Sequence, residues 1–278
     1  MKTRKWEWKS IDGLEMFAQS WEPEETPKAV VCLVHGLGEH SGRYAHVGKA
    51  FVEAGFALTG FDLRGHGKSG GPRGHIPSFD AYMDDIDAFQ KQMGNYFGIL
   101  PRFLYGHSLG GILVLNYVLR CKPDFVGVIS TGSGLRTALE EQKAKVMMAR
   151  VLGTLMPGTA IPSGLDPNTI SRRKEVVEAY VNDPLVHDKM TLGFGKIMMS
   201  VLPWTFEHAQ EFSLPLLIMH GTDDKLGYPR GSEEFASHVK QNCTLKLWDG
   251  LYHEIHNEPE QSEVFAFMID WMNTQLVR

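Results

Sequence analysis

The stretch Phe103–Gly111 reads FLYGHSLGG and contains Gly106-His107-Ser108-Leu109-Gly110, a G-x-S-x-G pentad. A serine hydroxyl becomes a useful nucleophile only when a neighbouring base takes its proton, and that base needs an acid to orient it. Both partners can be found downstream. His220-Gly221-Thr222-Asp223-Asp224 follows one apolar run, and Asp249-Gly250-Leu251-Tyr252-His253 follows another. The order serine, acid, histidine is the one used where the serine sits on a strand-to-helix elbow. Asp224 completes a G-x-x-D turn and is preferred to Asp223. His253 is preferred to His256, which lies deeper toward the last helix. An acyl-transfer reaction also needs donors for its oxyanion. The backbone N–H of Leu109, directly after the serine, and that of Leu37, after an early strand, are the expected pair.

These groups work only if strands and helices bring them together. Arg102–Tyr105 is a short apolar run suited to a buried strand, and Ile112–Leu119 is an apolar run long enough for a buried helix. Arg4–Ser10 and Leu14–Trp21 alternate around Asp12-Gly13 and predict a hairpin with Trp6 and Trp8 on one side. Further strands are expected at Ala29–Val34, Phe56–Phe61, Phe125–Ser130, Leu214–Met219 and Leu245–Trp248, and helices at Tyr44–Ala54, Ser78–Phe97 and Glu258–Leu276. Alternating strands and helices of this kind build a mainly parallel α/β sheet covered on both faces. The glycine-rich turn Asp62–Gly71 lacks phosphate-loop spacing and reads as a tight surface loop.

One interval is too long for a loop. About eighty residues separate Ser130 from Leu214, where a strand-to-helix connection needs about 2–6, so a structured insertion is expected. Its apolar positions Met148, Val151, Leu152 and Leu155 follow helical spacing, with a capping-box pattern at Thr137 and Glu140 and a stop at Pro157-Gly158. That predicts an amphipathic cap helix. Met147, Met148, Met156, Met190, Met198 and Met199 give this segment adaptable apolar surface suited to an acyl chain. The chain thus divides into a core of residues 1–133 and 207–278 and a cap of residues 134–206.

Composition narrows the class. In 278 residues with 43% hydrophobic content, a net charge of −5 without long like-charged runs argues against nucleic acid. Cys32, Cys121 and Cys243 are odd in number and far apart, which suits a reducing compartment and offers neither a disulfide framework nor a zinc pattern. The opening MKTRKWEWKS is charged rather than apolar, and a cytoplasmic protein is expected. Among the 12 histidines, His35 and His107 flank key turns and read as structural. His66, His75, His187, His208 and His238 lie in loops or on helices, where solvation is expected.

The segments HGLGEHSGRY (residues 35–44), GHSLGG (106–111), NDPLV (182–186), HGTDDKL (220–226) and GLYHEIHNEPE (250–260) occur in this order along nearly the whole chain. Together they resemble the monoacylglycerol lipases of the α/β-hydrolase fold. The resemblance implies hydrolysis of a monoacylglycerol to glycerol and a free fatty acid without a cofactor or metal, with another lipid ester as the other possible substrate. It places the family's triad on Ser108, Asp224 and His253, and its oxyanion donors on Leu37 and Leu109. A polar pocket for the glycerol head would fall on Glu39, Tyr180 and His256. Leu109 stands where many members have Met, and residues 134–206 are the least similar part. A broader carboxylesterase or lysophospholipase would use the same groups. An aminopeptidase of this fold would need a cap carboxylate, for which Glu140, Glu141, Glu175 and Glu178 are available. The amphipathic cap helix could also touch a membrane or lipid surface transiently.

Overall fold

The computed structural model describes residues 1–138 and 150–277. Its centre is an eight-stranded sheet of order β1-β2-β4-β3-β5-β6-β9-β10. β1 (Lys2–Lys9) and β2 (Glu15–Glu22) form the expected hairpin, turning where Gly13 takes a φ of 83°. The alternation in β1 works as read, since Trp6 and Trp8 both pack on Phe89, at 6.4 and 6.5 Å between ring centres. β2 runs antiparallel to β4 (Phe56–Phe61), and every remaining pair is parallel.

β3 (Ala29–Val34) shows why the middle of the sheet reads as unbroken apolar sequence. All six residues are buried, with Val30, Cys32 and Val34 in the core on one face and Ala29, Val31 and Leu33 in the core on the other. β5 (Arg102–His107), β6 (Gly127–Thr131) and β9 (Leu216–Gly221) follow the same rule, and β10 (Cys243–Trp248) closes the sheet. α2 (Phe79–Phe97), capped by Ser78, and α3 (Leu109–Cys121) cover one face. α1 (Ala45–Glu53) and the last helix, α7 (Gln261–Leu276), cover the other. Cys32 is fully buried in the first core, where burial pushes its thiol up to about 12.

The parallel strands β3, β5, β6, β9 and β10 end on the same side, so the loops after them gather there, beside the switch between β3 and β5. The insertion after β6 roofs this end. It contains the ribbon of β7 (Ala160–Pro162) with β8 (Lys189–Thr191), then α4 (Lys174–Asn182) and α5 (Leu192–Glu207). Backbone hydrogen bonds seat it on the core, from His187 N–H to Gly38 O and Thr191 N–H to Gly74 O, each 2.9 Å, and from Glu254 N–H to Ile170 O, 2.8 Å. A Cβ at Gly38 would come within 2.3 Å of the His187 carbonyl, so only glycine permits that approach. α5 belongs as much to the body as to the roof. Its Phe194 and Val201 lie in the same core as α3, and Asn116 Nδ2 donates to Thr205 Oγ1 at 2.8 Å.

The capping box at Thr137 and Glu140 and the residue Met148 fall at or beyond the edge of the described residues. Residues 150–155 are helical, yet Val151 and Leu155 are 52% and 72% exposed, so this apolar face looks outward rather than down on the sheet. The Asp62–Gly71 loop is not a surface turn. Asp62 to Gly67 are buried under the cap, where His66 is fully enclosed with its ring 5.5 Å from His35 and 4.8 Å from His187. His238 is exposed, and His75, His187 and His208 are half-buried. α4, α6 (Pro229–His238) and the β7–β8 ribbon carried no periodic signal strong enough to be read.

Candidate active site

Ser108 stands between β5 and α3 with φ 54° and ψ −114°, a strained conformation for a residue with a side chain. Such positions cost about 1–3 kcal/mol and persist where neighbours enforce them. Here the enforcement is steric. A Cβ at Gly106 would lie 2.2 Å from Gly110 O, and one at Gly110 would lie 1.9 Å from Val34 O, so strand, turn and helix touch through bare backbone. Ser108 N–H donates to Thr131 O at 2.9 Å, and its own carbonyl accepts from Ile112 N–H at 3.2 Å. The hydroxyl therefore projects at the positive end of α3, beside the opening N–H of Leu109. The loop after β3 also comes near, since a Cβ at Gly36 would sit 3.1 Å from Ser108 Cβ, and the following residue, Leu37, lines the same pocket wall.

His253 Nε2 lies 2.9 Å from Ser108 Oγ, and its Nδ1 lies 2.7 Å from Asp224 Oδ2. An ionised carboxylate only accepts, so Nδ1 carries the proton and Nε2 presents a lone pair to the serine. Burial disfavours the His253 imidazolium, but the charge of Asp224 and its hydrogen bond outweigh that and raise the group above the ordinary imidazole value of 6.5. Burial would likewise raise Asp224, yet His253 and the hydrogen bonds from His220 and His253 hold it well below the usual carboxylate range. Its second oxygen, Oδ1, accepts from Leu226 N–H at 2.8 Å and Gly227 N–H at 3.0 Å. Asp223 points to solvent. The alternative acid is thus left outside the series.

The other singled-out residues separate. Glu39 and Tyr180 line the small cavity beside Ser108 with Leu37, Leu226 and His253. His256 does not. It is fully buried behind the pocket, its ring 4.9 Å from Tyr44 and 4.8 Å from His107, and neither ring nitrogen has a protein hydrogen-bond partner. Burial, reinforced by His107 and His46, pushes it well below the ordinary histidine range. His107 is also fixed by structure, with Nδ1 3.1 Å from Thr131 Oγ1, and burial with the nearby His253 brings it down to about 4. Both rings therefore stay neutral beside His253.

Arg43 and Glu254 were not anticipated. Arg43 Nη1 donates to Glu39 Oε2 at 2.7 Å, and the guanidinium also makes a two-pronged bond to Glu254 at 2.6 and 2.7 Å. Glu39 Oε1 accepts in addition from Gly36 N–H, 2.7 Å, and from the Tyr44 hydroxyl, 2.8 Å. Burial works to raise Glu39, but Arg43 and the neighbouring histidines bring it down to about 2. One cation thus serves two buried carboxylates, and stranding such charges costs about 3–5 kcal/mol in comparable pairs. The i, i+4 spacing of Glu39 and Arg43 was the available signal; the third partner, more than two hundred residues away, had none.

The cavity beside Ser108 measures about 30 Å³, and Leu165, Pro167 and Ile170 line it from the cap. A larger one of about 700 Å³ lies between residues 150–157, α5 and the loop at His75–Pro77, and it shares no lining residue with the first. No group of histidine, cysteine or carboxylate side chains among the described residues is arranged to hold a metal ion.

A helix-flanked, mainly parallel sheet with its serine on the strand–helix turn defines an α/β-hydrolase. Residues 25–260 match the family described as serine aminopeptidase, S33, and the chain belongs to that family. Over 268 residues it is 34% identical to a monoacylglycerol lipase of Mycolicibacterium smegmatis, covering 96% of this chain and 95% of that one. It is 39% identical over 261 residues to an uncharacterized abhydrolase domain-containing protein of Dictyostelium discoideum, of which it covers 28%, with 93% of this chain aligned. The crystal structure of a Paleococcus ferrophilus monoacylglycerol lipase superposes with a TM-score of 0.84 at 32% identity, covering 99% of this chain and all of that one.

Proposed function

We propose that this chain is a serine hydrolase that cleaves monoacylglycerols to glycerol and a free fatty acid through an acyl-enzyme. The unbroken hydrogen-bonded series Ser108–His253–Asp224 carries the reading of the chemistry. The relatives carry the reading of the substrate. Ser108 Oγ attacks the ester carbonyl carbon as its proton passes to His253 Nε2, and Asp224 stabilises the imidazolium. The N–H groups of Leu37 and Leu109 receive the developing oxyanion. Collapse of the tetrahedral intermediate breaks the bond to glycerol, whose oxygen takes the proton from His253. Water activated by the same imidazole then attacks the acyl group and frees Ser108.

Glu39 and Tyr180 would face the glycerol head, as they border the cavity at Ser108. A cavity of about 30 Å³ is far below the roughly 300–1,000 Å³ of ligand pockets, so substrate entry requires the lining residues Leu165, Pro167 and Ile170 to move. Residues 134–206 then act as the cap that selects among acyl chains. Both pocket carboxylates, Glu39 and Glu254, are committed to Arg43, which leaves neither to grip a substrate amine. Glu175 and Glu178 are exposed on α4, and Glu175 pairs with Arg173. Among the described carboxylates none is free to hold an amine at Ser108, which favours ester over peptide cleavage; Glu140 and Glu141 lie outside the described residues.

A panel of monoacylglycerols of increasing chain length, lysophosphatidylcholine, p-nitrophenyl butyrate and an aminoacyl p-nitroanilide separates these activities. Monoacylglycerol turnover should exceed the others and the anilide should be inert; preference for the anilide or the lysolipid would displace this reading. No helix among the described residues is long and apolar enough to cross a membrane. The outward face at Val151, Leu155 and Met156, which is 53% exposed, supports contact with the surface of lipid aggregates. Leu155→Asp should slow hydrolysis of emulsified monooleoylglycerol several-fold and leave p-nitrophenyl butyrate unaffected. Equal losses on both substrates, or none on either, would remove the surface-contact role.

A further inference from the structure

Asp224 is held by two histidines, and only one of them faces Ser108. The second, His220, is the last but one residue of β9 and is completely buried. Its Nε2 is 2.9 Å from Asp224 Oδ2 and 2.9 Å from the Gly227 carbonyl oxygen, and its Nδ1 is 2.7 Å from Ser232 Oγ on α6. A carbonyl only accepts, so Nε2 carries the proton and shares it between Gly227 O and Asp224 Oδ2. In the neutral ring Nδ1 then accepts from the Ser232 hydroxyl. Asp224 Oδ2 thus meets an N–H from each histidine, while Oδ1 meets the two backbone N–H groups of Leu226 and Gly227. Every direction in which this carboxylate can accept is occupied by a donor.

We propose that His220 is a positioning residue for the hydrolytic reaction: its Nε2–H orients Asp224 toward His253 and, by drawing on the same oxygen, tempers the negative charge that oxygen offers to the imidazolium. The inference rests on the reading of Ser108, His253 and Asp224 given above. A role confined to packing would be met by Gly227 O and Ser232 alone. Instead the ring bridges the strand end, the acid turn and α6, with its donor placed on the oxygen that His253 uses. Donors to a carboxylate lower its proton affinity, so removing this one makes Asp224 a stronger partner for protonated His253.

The ionisable groups facing His253 are Asp224 from the turn after β9, His107 from β5, Glu39 from the loop after β3, and Glu254 and His256 from its own loop. Those facing Asp224 are His253 and His220. None of the others hydrogen-bonds to His220 or Asp224, so a change at His220 reaches His253 through Asp224.

The test is the pH dependence of kcat/KM for a soluble short-chain ester, measured on the full chain carrying His220→Leu, His220→Asn or His220→Gln. Leucine supplies no donor, and asparagine is too short to reach Oδ2. Both should move the acidic limb up by about half a pH unit and lower the plateau about ten-fold. Glutamine can place an N–H near the Nε2 position and should bring the limb back toward its wild-type pH. Should His220→Leu fail to fold, the asparagine and glutamine pair still decides. A limb that stays put or moves down in the donor-free variants overturns the proposal, as does a glutamine variant that matches asparagine. Ser108→Ala, measured alongside, keeps the two readings apart. Hydrolysis surviving that change would remove the nucleophile assignment itself, whereas an inactive Ser108→Ala with an unmoved limb in the His220 variants removes only the role of His220.

Discussion

Ser108→Ala is expected to lower kcat for monooleoylglycerol by at least about 10⁴-fold with thermal stability close to wild type, because it deletes one oxygen and leaves the backbone of the elbow intact. The geometry supports so large a loss. Ser108 Oγ is the atom to which His253 presents its lone pair. The surrounding turn is held by backbone contacts, from Ser108 N–H to Thr131 O and from Gly110 against Val34 O, that alanine does not disturb. A fluorophosphonate should label the wild type and spare the variant. Turnover within tenfold of wild type, measured on protein that melts normally, would end the assignment of Ser108 as nucleophile.

Asp224→Asn should cost about as much, roughly 10⁴-fold, through the tautomer of His253 rather than through the nucleophile. Four donors surround the carboxylate: His253 Nδ1, His220 Nε2, and the N–H groups of Leu226 and Gly227. Wherever the new amide NH₂ points, it meets a donor. The two backbone N–H groups cannot reverse their roles, and His220 keeps Gly227 O as an acceptor, so the amide is expected to turn its NH₂ toward His253. His253 then accepts at Nδ1 and carries its proton on Nε2, which leaves nothing to receive the proton of Ser108. The sign of the pH effect follows as well. In the wild type His253 lies above 6.5 because Asp224 outweighs burial, so kcat/KM falls as pH drops through that raised value. Without the carboxylate the residual activity should show its acidic limb at lower pH. This is opposite to the shift expected for His220→Leu. A limb displaced upward in Asp224→Asn would contradict the electrostatic account.

The elbow was legible because its requirements are local. A tight turn needs small residues, a buried strand needs an apolar run before it, and a buried helix needs one after it; all three lie between Arg102 and Leu119. The sheet was legible for the same reason, since parallel strands such as β3 are apolar on both faces. Helix α6 escaped because only Gly231, Ser232 and Phe235 of its ten residues are buried, leaving a mostly polar sequence without a stripe. The outward-facing Val151 and Leu155 show what the pattern left open. Helical spacing reports an apolar face and says nothing about where it points.

His66 was expected in solvent because it sits among glycines, yet the cap segment around His187 folds over it. His256 was placed in a glycerol pocket by resemblance, while its ring packs between Tyr44 and His107 behind the wall. The partnership of Arg43 with Glu254 spans two loops that meet only when β3 and β10 take their places in the sheet. Proximity of this kind is set by strand order, which no local pattern encodes.

The sequence by itself determined the reacting types and their order, the α/β class, the displayed serine and the presence of a large insertion after β6, because each depends on neighbours within a few residues. Only the tertiary structure decided which groups meet. It joined Ser108 to His253 across 145 positions, turned Asp224 inward and Asp223 out, sealed His256 from the cavity, and set His220 against the acid that His253 uses. Hydrogen-bond direction and burial are properties of the assembled sheet ends, so they arise where distant strands converge and cannot be read from any one of them.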